Sequence, residues 1–169
     1  AGADLVVLTG AAATGRSVLA GLAPRLVPAV LELSGCDAVF VLPGADLGLT
    51  AAALAWGLRL NGGATCVAPR RVYLTPDLAR HLAPALAAAL AGAAALPVRP
   101  AARRRADALL GEAAARGCRL LGTPGEAGAA RMAPVVVLDA PPDLALLRED
   151  LFAPVLALVP VADTEAALT

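Results

Sequence analysis

The stretch Leu5–Leu33, LVVLTGAAATGRSVLAGLAPRLVPAVLEL, decides the fold class of this chain. Leu5–Leu8 is a short apolar run of the kind that forms a buried strand, and Ala29–Leu33 is a second one. Between the two runs, glycines mark a turn and Arg16–Leu26 places its apolar side chains at helical spacing. A strand, a helix and a strand in this order predict an α/β fold with parallel strands.

The remainder of the chain repeats this alternation. Asp46 precedes a helix that runs to about Leu60, and Asn61–Gly62–Gly63 ends that helix with residues that tolerate a positive φ. The predicted class is therefore α/β, with a largely parallel sheet flanked by helices. The other predicted helices are Pro76–Ala94, Ala101–Arg116 and one that begins at Asp163; the other predicted strands are Ala38–Leu42, Arg71–Leu74, Arg119–Leu121, Val135–Leu138 and Val155–Val161.

Composition argues against two classes of partner. The chain has 169 residues with 14 basic and 14 acidic side chains, so it has no general positive field that would attract nucleic acid or anionic lipid. Its cationic cluster, Arg103–Arg104–Arg105, lies in a predicted helix and is expected to be a solvated face. The Ala-rich segment Leu82–Val98 is short for a membrane span, which needs about 20 apolar residues. We therefore expect neither a nucleic-acid partner nor a membrane.

The three cysteines, Cys36, Cys66 and Cys118, are an odd number. This argues against a disulfide framework and favours a reducing cytoplasm. No cysteine pair has the spacing of a zinc site and His81 is the only histidine, so no metal is expected. The chain begins without Met and enters a strand almost at once, which predicts a piece of a longer protein.

The turn Gly10–Ala11–Ala12–Ala13–Thr14–Gly15 lies between a predicted strand and a predicted helix. Glycines at such a place let backbone amides approach a phosphate at the N-terminus of the helix. Turns with two glycines after a strand are also common in the absence of any ligand. A purely structural turn therefore stays open as the alternative.

Glu32 is the carboxylate of the segment Leu31–Glu32–Leu33–Ser34–Gly35. It closes an apolar strand, where a parallel sheet presents its carboxyl edge to a cleft. A partly buried carboxylate at that edge can act as a general base near neutral pH. The alternative is a strand-end glutamate that pairs with an arginine.

Cys66 ends the segment Asn61–Gly62–Gly63–Ala64–Thr65–Cys66, so it is predicted to sit on a tight glycine turn. A free cysteine is most often a small core hydrophobe, which is the alternative here. Further along, Glu149–Asp150–Leu151–Phe152–Ala153–Pro154 could place a carboxylate and a ring at a ligand. It could equally be a loop with a buried Phe152.

Taken together and in this order, these segments resemble the aldehyde dehydrogenase superfamily. Its members have a Thr-Gly-Ser-x4-Gly turn, a Leu-Glu-Leu-Gly-Gly-Lys strand end, an Asn-x-Gly-Gln-x-Cys turn and a Glu-Ile-Phe-Gly-Pro segment. Cys66 follows Glu32 by 34 residues, as the family pattern requires. The matching segments are Thr9–Gly10 with Gly15, Leu31–Cys36, Asn61–Cys66 and Asp150–Pro154, and Gly44–Leu47 resembles the Asp-Ala-Asp-Leu helix start of the family.

The resemblance implies a chemistry for these residues. The Cys66 thiolate would attack an aldehyde, NAD or NADP would accept the hydride, and Glu32 would activate water to hydrolyse the thioester. Gly10 and Gly15 would line the cofactor, Asp150 would hold its nicotinamide ribose, and Phe152 would pack near the ring. The family also implies a homo-oligomeric parent protein that acts on a small aldehyde.

The resemblance further assigns residues 1–34 to the last β-α-β piece of a Rossmann-like cofactor-binding domain and residues 35–169 to the catalytic domain. Asp150 replaces the family's glutamate, and Ala64 and Cys36 replace its glutamine and lysine. Because half of a family member would be absent, we expect this chain alone to turn over aldehyde inefficiently. The alternatives are a non-catalytic domain that acts in folding or assembly and an enzyme that transfers the acyl group to coenzyme A.

Overall fold

The computed structural model describes residues 2–168, and these belong to two compact units, which meet in the chain between Gly35 and Cys36. The first unit is a β-α-β motif formed by β1 (Val6–Gly10), α1 (Ala12–Leu22) and β2 (Ala29–Leu33). β1 and β2 pair in parallel, with Thr9 opposite Glu32. This confirms the predicted strand–helix–strand order, although α1 begins four residues before Arg16 because the alanines after the turn favour helix.

The second unit is built on a five-stranded sheet in the order β3-β4-β9-β8-β6. β3, β4, β9 and β8 run parallel, and β6 joins the edge antiparallel to β8. The predicted α/β class with a largely parallel sheet is therefore confirmed. The strands are β3 (Asp37–Phe40), β4 (Pro69–Leu74), β6 (Arg119–Leu121), β8 (Val135–Leu138) and β9 (Val155–Pro160).

Helices cover both faces of this sheet: α2 (Leu47–Arg59), α3 (Pro76–Leu90) and α4 (Pro100–Ala115). Alternate residues of a strand point to opposite faces. Accordingly, β9 sends Leu156 and Leu158 into one core with α2 and α3, and Val155 and Val159 into another with α4. The all-buried sequence of β8 is typical of a strand packed on both faces.

The start of α2 follows from its sequence. The Asp46 side chain accepts a hydrogen bond from the Leu49 amide at 3.0 Å, as a helix N-cap should. After α3, Gly92 adopts a φ of 69°, and the helix ends at Leu90 rather than at the predicted Ala94. Among residues 2–168, no helix combines the length and apolar character needed to cross a bilayer.

Two elements of the second unit depart from the predictions. A two-stranded antiparallel sheet, β5 (Leu96–Pro97) with β7 (Arg131–Met132), was not predicted, because two residues are too few to show a period. The helix predicted from Asp163 is wrong: the described residues there form turns, and the Asp163 carboxylate accepts from the Ala166 amide at 2.8 Å.

The predicted solvated face at Arg103–Arg105 is wrong at its first residue. Arg103 is fully buried, and its Nε donates to both carboxylate oxygens of Asp107 at 2.8 and 3.0 Å. Its remaining nitrogens donate to backbone carbonyls of the loop that precedes β7 and to the carbonyl of Arg131. The spacing 103, 106, 110, 113 places Arg103 on the buried face of α4, where pairing with Asp107 makes a charge tolerable.

Candidate active site

Cys66 lies on a turn that the backbone folds unusually tightly. After α2 comes a short 3₁₀ segment, Leu60–Gly63, and three of its residues in succession have left-handed φ values: Asn61 at 50°, Gly62 at 67° and Gly63 at 72°. The Asn61 side-chain amide donates to the Ala64 carbonyl at 3.0 Å, which closes the turn. The chain is thereby reversed before it enters β4, and Cys66 stands on the connection.

The Cys66 side chain is exposed, and the thiol is free. The alternative that Cys66 is a core hydrophobe is therefore wrong. The next turn brings the Ala68 amide to 3.3 Å from the Thr65 carbonyl, and Ala68 is buried while Cys66 is not. The backbone here presents the sulfur at the surface of the second unit instead of burying it.

The two glycines of the turn are packed directly against backbone from elsewhere in the second unit. A Cβ on Gly62 would lie 2.7 Å from the carbonyl oxygen of Pro97. A Cβ on Gly63 would lie 2.6 Å from the carbonyl oxygen of Ala153 and 2.8 Å from the Pro154 nitrogen. Only glycine fits such close approaches at a positive φ, so the turn is fixed in place by the absence of side chains.

This packing brings the Cys66 turn to the segment Asp150–Pro154. In that segment Leu151 and Ala153 are buried, Phe152 is partly buried and Asp150 is exposed. The segment leads straight into β9, so its position is set by the sheet. The second unit therefore packs Gly63, in the turn that leads to Cys66, against Ala153 and Pro154, in the segment that holds Asp150 and Phe152.

Arg70 is the site residue that the sequence analysis missed. It lies in β4, is 3% exposed, and donates from Nη1 to the Ala153 carbonyl at 2.7 Å and from Nη2 to the Gly63 carbonyl. One guanidinium thus joins the Cys66 turn to the Asp150–Pro154 segment. The signal in the sequence was the alternation of β4, where positions 70, 72 and 74 share the buried face.

The electrostatics of this neighbourhood are dominated by burial. Burial lowers the pKa of Arg70, although Asp150, Cys36 and Asp37 oppose that shift. Burial likewise raises the pKa of the Cys36 thiol, although the charges of Arg71 and Arg70 act in the other direction. The Cys36 sulfur lies 3.6 Å from the Leu147 carbonyl oxygen, and its own carbonyl accepts a hydrogen bond from Arg71. A second, half-buried thiol therefore stands close to the two arginines.

In the first unit, the described residues bring Gly10, Gly15 and Glu32 to the carboxyl ends of two parallel strands. Gly10 ends β1, and Glu32 precedes the last residue of β2. Glu32 is exposed, so the expectation of a partly buried carboxylate is wrong. Gly15 is buried in α1, where a Cβ would come within 2.9 Å of the Leu33 side chain, which is the close helix–strand packing that a glycine permits.

The remaining chemistry-bearing residues of the described chain are scattered. Residues 2–168 contain no group of three or more His, Cys, Asp or Glu side chains that could hold a metal ion. Cys36, Cys66 and Cys118 are all free thiols. His81 is exposed on α3, where its ring nitrogen lies 2.9 Å from the Asp77 carbonyl oxygen.

Comparison with known proteins shows which family the chain resembles. The pattern of the aldehyde dehydrogenase family matches residues 1–169. The chain is 29% identical to the dimeric NADP-preferring aldehyde dehydrogenase of Canis lupus familiaris over 172 residues, which are 98% of this chain and 38% of that protein. It is 32% identical to the 4,4'-diapolycopene aldehyde oxidase of Methylomonas sp over 98% of this chain and 33% of that protein.

Among solved structures, the NADP-dependent glyceraldehyde-3-phosphate dehydrogenase of Bacillus halodurans C-125 superposes with a TM-score of 0.87 at 27% identity. The match covers 97% of this chain and 36% of that one. The chain thus spans less than two fifths of the relatives it matches. Since the family pattern covers its whole length and its fold is theirs, the chain belongs to the aldehyde dehydrogenase family.

Proposed function

We propose that the protein oxidises an aldehyde to a carboxylic acid with NAD or NADP, with Cys66 as the nucleophile and Glu32 as the general base. The observation that carries the proposal is the exposure of Cys66 just after a tight turn that contains three left-handed residues. A thiol presented in this way, rather than buried, is available to attack a carbonyl carbon. The family match supports the reaction type.

In the proposed first step, the Cys66 thiolate forms a C–S bond to the aldehyde carbon, and the carbonyl oxygen takes the negative charge. Backbone N–H groups at such a turn suit the developing oxyanion, and we assign the Cys66 amide to it. A hydride then leaves the carbon, which becomes a thioester. Finally, Glu32 takes a proton from water, the water oxygen attacks the thioester, and the C–S bond breaks to return the thiolate.

NAD or NADP, when bound, supplies the hydride acceptor of this reaction. The turn between β1 and α1 fits the phosphates of the cofactor, because no side chain caps the N-terminus of α1. A Cβ built on Gly10 would meet no atom closer than 4.0 Å, so the backbone there is open. We therefore assign residues 1–34 to cofactor binding and residues 35–169 to the catalytic domain. In the latter, Asp150 and Phe152 are assigned to the ribose and the nicotinamide ring.

Three further assignments follow from relatives and from composition. The relative from dog is named dimeric, and we propose that the whole protein likewise assembles from identical copies. Three free thiols suit a reducing compartment, so the cytoplasm stays our prediction for its location. The small-molecule partner is an aldehyde, and neither nucleic acid nor a membrane enters the proposed reaction.

The test uses the full-length protein with NAD or NADP and a panel of aldehydes, following reduced nicotinamide by absorbance. We expect Cys66→Ser to lower kcat/KM by about 10³-fold or more, because the thiolate is lost. Cys118→Ser, which changes a partly buried thiol at the end of α4, is the control and should retain activity. Equal activity of the Cys66→Ser variant and the wild type would exclude Cys66 as the nucleophile.

A second variant tests the base. Glu32→Gln should still give one equivalent of reduced nicotinamide per site, and then slow by about 10²-fold or more because the thioester persists. Coenzyme A added to the wild type and to this variant tests the acylating alternative: if both then turn over at the same rate and release acyl-coenzyme A, transfer to coenzyme A is the reaction.

The non-catalytic alternative draws its support from Asp150, which is one methylene shorter than the glutamate of the family pattern. It predicts that no aldehyde is oxidised and that NAD does not protect Cys66 from alkylation. Protection of Cys66 by either cofactor would exclude it, even before a substrate is found.

A further inference from the structure

Arg70 has no role in the chemical steps above, yet it is the most deeply buried charged group near Cys66. Only 3% of the residue is exposed, and its guanidinium lies between the Gly63 carbonyl, 7 residues before it, and the Ala153 carbonyl, 83 residues after it. A charge in such a place is costly unless it makes hydrogen bonds that compensate for lost water. The hydrogen bonds of Arg70 must therefore offset the cost of its burial.

The two hydrogen bonds of Arg70 reach two backbone segments that pack against each other. We call the contact between Gly63 and Ala153–Pro154 the seam. Nη1 donates to the Ala153 carbonyl at 2.7 Å, and Nη2 donates to the Gly63 carbonyl. Gly63 is also the residue on which a Cβ would strike the Ala153–Pro154 peptide. Two features thus hold the two backbones together. Gly63 allows their close approach because it has no side chain, and the Arg70 guanidinium donates a hydrogen bond to each of them.

The planar fork of arginine suits this geometry, because it carries donors on two nitrogens that diverge at a fixed angle. A lysine ammonium is a compact point charge on a flexible stem and cannot reproduce that spacing. If the fork is removed, both carbonyls lose a donor in a region closed to water. Each segment is then free to relax away from the other.

We propose that Arg70 is a positioning residue, which fastens the Cys66 turn to the Asp150–Pro154 segment and so sets the nucleophile in register with the residues assigned to the nicotinamide half of the cofactor. The inference rests on the proposed function for its kinetic consequence, but the fastening itself is a property of the fold. It predicts that the two segments open together when Arg70 is changed.

The test compares Arg70→Lys and Arg70→Met with the matched control Arg103→Lys in the full-length protein. Arg103 is an equally buried arginine that binds other backbone carbonyls, so its replacement controls for a general loss of stability. Amide hydrogen exchange is measured for residues 60–68, 124–131 and 150–154. Cofactor KM and kcat are measured on the same preparations.

We expect Arg70→Met to speed exchange about tenfold in residues 60–68 and 150–154 together, since each loses a buried hydrogen bond. The cofactor KM should rise about tenfold, beyond any change caused by a smaller active fraction, which alters kcat alone. Arg70→Lys should show the same changes at smaller size, and it keeps the test open if Arg70→Met does not fold. Arg103→Lys should speed exchange in residues 124–131 and leave the cofactor KM unchanged.

The inference is overturned if residues 60–68 and 150–154 keep wild-type exchange, or if only one of them changes, in both Arg70 variants. It is also overturned if exchange rises but the cofactor KM matches that of Arg103→Lys. A wild-type protein that oxidises no aldehyde would overturn the proposed function instead, and the coupled exchange of the two segments would then decide the fastening alone.

Discussion

Arg70 and Arg103 are both buried and both hold loops through backbone carbonyls, but they are neutralised differently. Arg103, 0% exposed, has a carboxylate of its own: Asp107, one helical turn away, accepts two hydrogen bonds from it. Asp107 also accepts from the Gly128 amide at 2.9 Å, so the ion pair closes on the loop that it holds. Arg70 donates only to carbonyls, and its Nε has no partner among the described residues.

The difference distinguishes two roles for a buried arginine. Arg103 with Asp107 is a structural clamp, which stabilises the loop before β7, whereas Arg70 joins two segments close to the reactive group. A buried charge that is paired and fully hydrogen-bonded serves stability, and its removal leaves a carboxylate without its cation and several carbonyls without their donor. A buried charge that keeps unsatisfied capacity is locally inconsistent with stability alone, and such inconsistencies are typical of functional sites. Arg103 fits the first description and Arg70 the second, and Arg70 is the one beside Cys66.

The largest effect on stability should come from breaking the clamp. Arg103→Met is expected to lower the free energy of unfolding by about 3 kcal/mol, because the partly buried Asp107 loses its cation and the loop carbonyls lose their donor. Urea denaturation of the full-length protein measures it. Arg104→Met, an exposed neighbour on α4, should change stability by less than about 0.5 kcal/mol. Equal losses in the two variants would mean that Arg103 is not a clamp.

The next effect concerns the seam beside Arg70. Gly63→Ala puts a Cβ 2.6 Å from the Ala153 carbonyl oxygen, whereas Gly92→Ala, at a nearly identical φ of 69°, meets nothing within 4 Å. Left-handed strain alone should cost about 1–2 kcal/mol in both variants. The clash should add about 1–3 kcal/mol at Gly63 and lower aldehyde oxidation there only. The measurement is the difference in urea midpoint, with activity assayed in parallel.

If Gly63→Ala and Gly92→Ala prove equally stable and equally active, the close approach of the two backbones carries no energy. The fastening would then depend on Arg70 alone. A larger loss at Gly92 would contradict the packing seen at Gly63.

The sequence predicted several strands, the start of α2 and the turn before Cys66, but not the contacts of the two buried arginines. Short apolar runs predicted β2, β6 and β8 with their observed bounds, and Asp46 predicted the start of α2. Asn61–Gly62–Gly63 predicted left-handed backbone because few other residues adopt it. These features are local, so a few neighbouring residues determine them.

The burial of Arg70 and Arg103 escaped prediction because backbone carbonyls from distant parts of the chain complete their hydrogen bonds. Arginine is usually exposed, and the pattern that places both residues on buried faces was outweighed by that preference. Glu32 was expected to be partly buried and is exposed, since a strand end alone does not determine what covers it. The roles assigned to Cys66, Glu32, Gly10, Gly15, Asp150 and Phe152 stay predictions.

The smallest effect uses Cys36 as a reporter of the positive charge around Arg70. Burial raises the pKa of this thiol above its usual value of 9.0, and Arg71, then Arg70, limit the rise. Alkylation requires the thiolate, so the rate for Cys36 should still be increasing with pH above 9.0. Arg71→Met should raise the pKa further and slow alkylation of Cys36 at pH below that value by about two- to fivefold.

Arg116→Met is the matched control. Burial raises the pKa of the Cys118 thiol, as it does for Cys36, and the charge of Arg116 lowers it. It should slow Cys118 and leave Cys36 unchanged, as followed by mass spectrometry of each alkylated peptide. The sign also fixes the stability profile: the unfolded chain loses these thiol protons at lower pH than the native one, so stability falls as pH rises above about 9. If Arg71→Met leaves the alkylation rate of Cys36 unchanged, the positive charges of the arginines near Cys36 are neutralised by other groups. The arginines near Cys36 would then not differ from Arg103 in their electrostatics.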